Sequence, residues 1–155
     1  MSKNYENKLL SLGISLPDAP APAANYVPYV VVGDMVYISG QISGDANGRI
    51  NGKLGKNFSV EEGQLAAKTC GINLIAQLKS ACGGDLDRLV QVVKLGGFVN
   101  CTSDFEDHPK VINGASDLMV EVFGEAGKHA RAAVGSSSLP LGVAVEVEGI
   151  FQIKW

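Results

Sequence analysis

Apolar and polar positions follow several distinct rhythms along this 155-residue chain. Tyr29–Val32 and the run from Met35 to Ser39 are rich in β-branched and aromatic residues and are split by Gly33-Asp34. Two strands joined by a tight turn are predicted. Gly40 follows at once, where a side chain would obstruct a close backbone approach. The next stretch carries Asn47-Gly48 and Asn51-Gly52, so residues 44–57 are predicted to be an exposed loop. Ser59 then stands three residues before Glu62, the spacing of a capping box. Behind it Ala67, Cys70, Leu74, Leu78 and Ala81 recur at three or four residues, one apolar helix face ending at Gly83-Gly84. Leu89 to Val93 reads as a strand, extended by Leu95, Phe98 and Val99, with Gly96-Gly97 suggesting a bulge or a close contact. A second helix is predicted from about Asp107, with Pro109 in its permitted first turn and Val111, Ala115, Leu118, Met119 and Val122 inward. Gly124 and Gly127 end it. A short strand from Arg131 to Val134 is broken by Ser-Ser-Ser-Leu-Pro. In the last strand Val143, Val145, Val147, Phe151 and Ile153 alternate with Ala144, Glu146, Glu148, Ile150 and Gln152.

The predicted order is ββαβαββ, an α+β domain with both helices on one face of the sheet. Helices on both faces would bury Glu146 and Glu148. The second face, with Ala144, Glu146, Glu148 and Ile150, must then be solvated or form an interface that partners each carboxylate. Ahead of this domain, residues 4–12 form a short helix. A segment with four prolines in thirteen residues, Leu16 to Pro28, is an extended arm. Ile14, Leu16, Tyr26 and Val27 give it apolar anchors, so it is expected to lie against the body. The organisation read from the sequence is an N-terminal helix and arm over residues 1–27, and one domain over 28–155.

Composition narrows the function classes. A formal charge of −3 with no basic stripe disfavours nucleic-acid binding and an anionic membrane surface. Hydrophobic residues make up 46% of the chain, enough for a core and for a subunit interface. Cys70, Cys82 and Cys101 form no CxxC and no metal spacing with His108 or His129, so neither a metal nor a disulfide framework is expected. Cys70 and Cys82 fall on a packed helix side, Cys101 in a more open stretch, and His108 at a helix start. The first residues do not read as a secretory leader, and a reducing, cytoplasmic setting fits best.

Five blocks carry a resemblance to a known family. They are PYVVVGDMVYISGQIS at 28–43, ACGGDLDRLVQVVKLGGFVNCTSDF at 81–105, KVINGASDLMVEVFG at 110–124, HARAAVGSSSLP at 129–140 and VAVEVEGIF at 143–151. In this order they resemble the RidA/YjgF/YER057c/UK114 family. The resemblance implies a chorismate-mutase-like fold in a homotrimer, with the sheets lining a central barrel and pockets in the clefts between subunits. It implies hydrolytic deamination of reactive 2-imino/enamino acids to 2-ketoacids and ammonia, without cofactor or metal. The family arginine matches Arg131 and the family carboxylate Glu146. Tyr29, Ser39, Gly40, Gln41 and, more loosely, Asn113 match substrate-contacting positions. Two departures stand out: His129 where the family often has proline, and Ala133 where it often has cysteine.

On chemical grounds Arg131 is a rigid fork for a carboxylate in an apolar, small-residue strand. The structural alternative is an ion pair with Glu146 or Glu148. Glu146 is suited to orienting or deprotonating water. Tyr29 would close the pocket, or simply anchor the chain. Alternation brings His129 to the face of Arg131. A Cys101–His129 pair has no spacing support. The competing function is a non-enzymatic trimeric binding protein for small carboxylates. An endoribonuclease, a label often attached to the family, is disfavoured by the acidic balance.

Overall fold

The strand Val145–Ile153 (β7) lies at the centre of the molecule because its alternation is cleanest: Val145, Val147, Phe151 and Ile153 are all buried. Around it, in this computed structural model, a five-stranded mixed sheet runs in the order β1-β2-β7-β5-β6. The other strands are Tyr29–Val32 (β1), Met35–Ile42 (β2), Leu89–Asn100 (β5) and Ala130–Ser136 (β6). The structure describes residues 3–22 and 24–155. β1-β2, β2-β7 and β7-β5 are antiparallel, and β5-β6 is parallel. A parallel pair needs a crossover. It is supplied by the helix His108–Phe123 (α3), capped at Gly124 with φ 62. The helix Val60–Ala81 (α2) lies beside α3, and the two cover one sheet face. Ser59 and Glu62 make the reciprocal capping box that their spacing predicts. The whole predicted stripe from Ala67 to Ala81 is buried. A short helix, Tyr5–Ser11 (α1), docks through the Tyr5 and Asn4 amides, which donate to Asp87 at 2.9 and 3.0 Å. No described helix is long and apolar enough to cross a membrane.

Three expectations are corrected. The trimeric barrel is not seen: the sheet is open, with β1 and β6 as its two edges, and closure would require those edges to pair. Residues 44–57 are not simply an exposed loop. Gly44–Asp45 (β3) and Gly48–Arg49 (β4) form a small hairpin, and Leu54 is fully buried. The Leu54 amide donates to Asn100 O at 2.9 Å, so residues 50–54 fold back over the end of β5. Ala144 is buried too, because its amide donates to Ile50 O at 3.0 Å beneath that returning segment. Of the two readings of Gly96-Gly97, a bulge or a close contact, the close contact holds. The register shifts fall between Leu89 and Gln91 and between Val92 and Lys94. Gly97 instead permits close packing: a Cβ there would come within 2.6 Å of Ile112 on α3.

Candidate functional site

The expected site residues separate into two groups at opposite sides of the sheet. The first lies where the edge strand β6 meets α3. Arg131 pairs with Leu95, whose side chain is buried under the helices, so Arg131 projects to the helix-covered face. His129 precedes it by two residues. Its Nδ1 lies 2.6 Å from Gly127 O and its Nε2 lies 2.8 Å from Ser116 Oγ. A carbonyl only accepts, so Nδ1 carries a proton, and in the neutral ring Nε2 accepts from the serine hydroxyl. Ser116 Oγ is then free to accept from Arg131 Nη1 at 3.1 Å, while Nη2 donates to Pro109 O at 3.3 Å. This chain of bonds holds the guanidinium in one orientation and uses two of its five donors. Among the described residues no carboxylate lies within ion-pair distance of Arg131. The ion pair with Glu146 or Glu148 is therefore not formed within one chain. Asn113 stands one helical turn before Ser116, half-buried on the same side of α3.

The second group surrounds β2. Glu146 lies on the sheet face away from the helices and pairs across with Ile42. A Cβ on Gly40 would overlap its Oε2, so the glycine is the seat of the carboxylate. Burial, and after it the charge of Glu148, hold the Glu146 carboxyl above the ordinary carboxylate range. Ser39 Oγ donates to Val27 O at 2.9 Å and Gln41 Nε2 donates to Ser39 O at 2.9 Å. Tyr29 is half-buried, with its hydroxyl 3.0 Å from Ser80 Oγ at the end of α2. Beside this group the open sheet face holds a hollow of about 300 Å³ that includes Tyr37, Ser39, Lys94 and Glu148.

β5 lies between the strand that carries Glu146 and the strand that carries Arg131, and the two side chains point to opposite faces. One chain therefore does not bring them together. Two partners escaped the sequence reading. Ser116 looks like any polar helix residue until β6 is placed beside α3. Cys101 is buried rather than open, and its Sγ lies 3.5 Å from Nε2 of His108, with Gly135 leaving room for both. Among the described residues no cluster of three or more His, Cys, Asp or Glu is arranged to hold a metal ion. Burial raises the Cys82 thiol to about 11 and pushes that of Cys70 higher still, which suits core filling rather than nucleophilic work.

Comparison with known proteins adds the following. A family model described as "YjgF/chorismate_mutase-like, putative endoribonuclease" matches residues 6–150. Protein TCP17 of Trypanosoma cruzi is 48% identical over 148 residues, covering 94% of this chain and 92% of the relative. A 2-iminobutanoate/2-iminopropanoate deaminase of Dermatophagoides farinae is 32% identical, covering 91% of this chain and 95% of its own. The crystal structure of the protein Atu1372 with unknown function from Agrobacterium tumefaciens superposes with a TM-score of 0.91 at 42% identity, covering 99% of this chain and 94% of that one.

Proposed function

Because the chain belongs to the RidA/YjgF/UK114 family, we propose that it hydrolyses reactive 2-imino and enamino acids to 2-ketoacids and ammonia. Family membership supports a hydrolytic deaminase activity in general. The observation that carries the finer reading is Arg131. It is a half-buried guanidinium, oriented by Ser116 and Pro109, with donors left over and no carboxylate of its own chain beside it. That arrangement suits a bidentate clamp on a substrate carboxylate.

Glu146 supplies the other half. A carboxylate held above its usual pKa is a better proton acceptor from water. Water adds to the carbon of the protonated imine as Glu146 takes its proton. The resulting carbinolamine receives that proton on nitrogen; as the C–N bond breaks and ammonia leaves, Glu146 takes the hydroxyl proton and passes it to the departing ammonia, leaving the keto group. The balance is one protonated imino acid and one water to one ketoacid and one ammonium ion, with no electron transfer. Positioning the water and the imine carbon accounts for the rate gain, since the imine is already electrophilic. Ser39 and Gly40 lie on the Glu146 side, Tyr29 stands at the helix-covered face against Ser80, and Asn113 lies with Arg131. His129 acts through Ser116 to hold the clamp.

The two halves sit at opposite sides of one sheet, so a second copy of the chain must join them. An edge β6 from one copy laid against the β1-β2 side of the next unites Arg131 with Glu146. Such a head-to-tail contact closes into a ring, here a homotrimer with pockets between subunits. The open sheet face supports this, because it exposes Val30 (49%), Tyr37 (45%) and Val134 (46%). A coupled assay decides the activity: an amino-acid oxidase generates the imino acid and its decay is timed. Acceleration by micromolar protein is expected, and an unchanged decay rate would overturn the reading.

A further inference from the structure

The bonds that hold Arg131 also compose a second arrangement, which imine hydrolysis does not use. Ser116 stands in the middle of α3, and its Oγ lies 2.8 Å from Nε2 of His129. With Nδ1 held by Gly127 O at 2.6 Å, the neutral ring turns the lone pair on Nε2 toward the serine hydroxyl. A hydroxyl, a base within hydrogen-bond reach and a third group that orients the base are the parts of an activated nucleophile. Here they come from a helix, the turn that follows it and the entry to β6.

Local packing fixes the spacing. A Cβ on Gly127 would come within 2.1 Å of Met119 O, so only glycine lets the turn Gly124–Gly127 close against α3. That closure sets His129, two residues on, opposite Ser116. Ser116, His129 and Arg131 are all half-buried, so none is sealed in the core. Arg131 completes the arrangement. Its Nη1 donates to Ser116 Oγ at 3.1 Å, and a cation beside a hydroxyl favours the alkoxide. Only two of its donors are engaged within the chain, so others remain for an oxygen that becomes negative next to Oγ.

We propose that Ser116 and His129 are a nucleophile–base pair that hydrolyses carboxylic esters, with Arg131 stabilising the oxyanion. Ser116 Oγ bonds to the ester carbonyl carbon as its proton passes to His129 Nε2. The tetrahedral oxyanion forms beside Arg131. The C–O bond to the alcohol then breaks, and Nε2 gives its proton to the leaving oxygen. Water attacks the acyl-serine in the same way, passing a proton to Nε2, and Oγ takes that proton back as the acyl–Oγ bond breaks. One ester and one water give one carboxylic acid and one alcohol, with no redox change. This activity goes beyond the deaminase reading and does not use Glu146, which lies on the other sheet face.

The test uses p-nitrophenyl acetate for turnover and a fluorophosphonate probe, with tandem mass spectrometry to locate the adduct. Wild type is compared with Ser116→Ala and His129→Gln, whose melting temperatures check the fold. Wild type releases p-nitrophenol at a steady rate and carries the phosphonyl group on Ser116. Ser116→Ala loses both. His129→Gln slows both by about a hundredfold, the low end of what a general base contributes. Adducts confined to lysine or tyrosine, or a release rate that survives Ser116→Ala, would overturn the proposal. Phosphonylation of Ser116 without ester turnover would overturn it as well, since the second half of the cycle would be missing. The adduct site is read on wild type, so a misfolded variant leaves the test standing. Imino-acid decay, followed in parallel, judges the deaminase reading separately.

Discussion

Arg131 and Glu146 stand in different surroundings. Arg131 is ordered by a chain of hydrogen bonds, from Gly127 O through His129 and Ser116. Its replacement by alanine removes charge-assisted bonds to a substrate carboxylate, a loss on the order of 10- to 150-fold in kcat/KM for imine decay. The fold should survive, since Arg131 lies on an edge strand; circular dichroism and the melting temperature check this. Glu146 makes a separate, pH-dependent prediction. Its folded pKa is raised, mainly by burial. Stability linked to it is therefore fully present below the ordinary value of 4.5 and is lost as pH rises through the raised folded pKa. Glu146→Gln removes that loss. The variant should melt higher than wild type near neutrality, with the gap closing as pH falls below about 4.5. A gap independent of pH would contradict the desolvated placement. At this scale sequence and structure meet unevenly. Arg131 and Glu146 stand in recognisable strings, and parity alone put Glu146 on the outer face. Ser116 and Gln77 are ordinary helix residues whose partners lie 15 and 57 positions away, so no local pattern marks them.

Elements followed local rules where those rules were strong. The capping box fixed the start of α2, and spacing by three and four fixed its buried face. Strand alternation gave β7 its two faces, but it was carried too far back. Gly142, with φ 77, turns the chain just before Ala144, and the returning segment at Ile50 then covers that residue. Leu54 was hidden for a related reason: turn residues surround it, and its burial depends on the end of β5, more than 40 residues on. The meaning of Gly97 is a matter of packing between elements. Its missing Cβ lets α3 approach β5, with Ile112 Cδ1 2.6 Å from where that Cβ would be. Gly97→Ala should cost about 1–3 kcal/mol in denaturant unfolding, the usual range for overpacking a core. Ile112→Ala in the same chain should recover part of that cost, giving a non-zero coupling in a double-mutant cycle. Strict additivity would show that the helix does not press on the glycine.

The whole molecule is an open, mixed sheet with two helices on one face and two unsealed edges. The edge β6 carries Arg131, and the β1-β2 side carries the seat of Glu146. Nothing in the residue order announces that a single chain holds these halves apart. The separation follows from strand order, with β5 between β7 and β6, and from strand parity, which turns Glu146 to the other face. The central claim is that a substrate carboxylate clamp from one copy works with the water-activating carboxylate of another. Mixing two inactive variants tests this most directly. Arg131→Ala and Glu146→Gln are purified separately, co-refolded in equal amounts, and assayed for 2-imino acid decay. Random assembly puts an intact arginine against an intact glutamate in about a quarter of the pockets, so the mixture should regain about a quarter of wild-type activity. Activity that stays at the level of the separate variants, with the mixed assembly formed, would contradict the account.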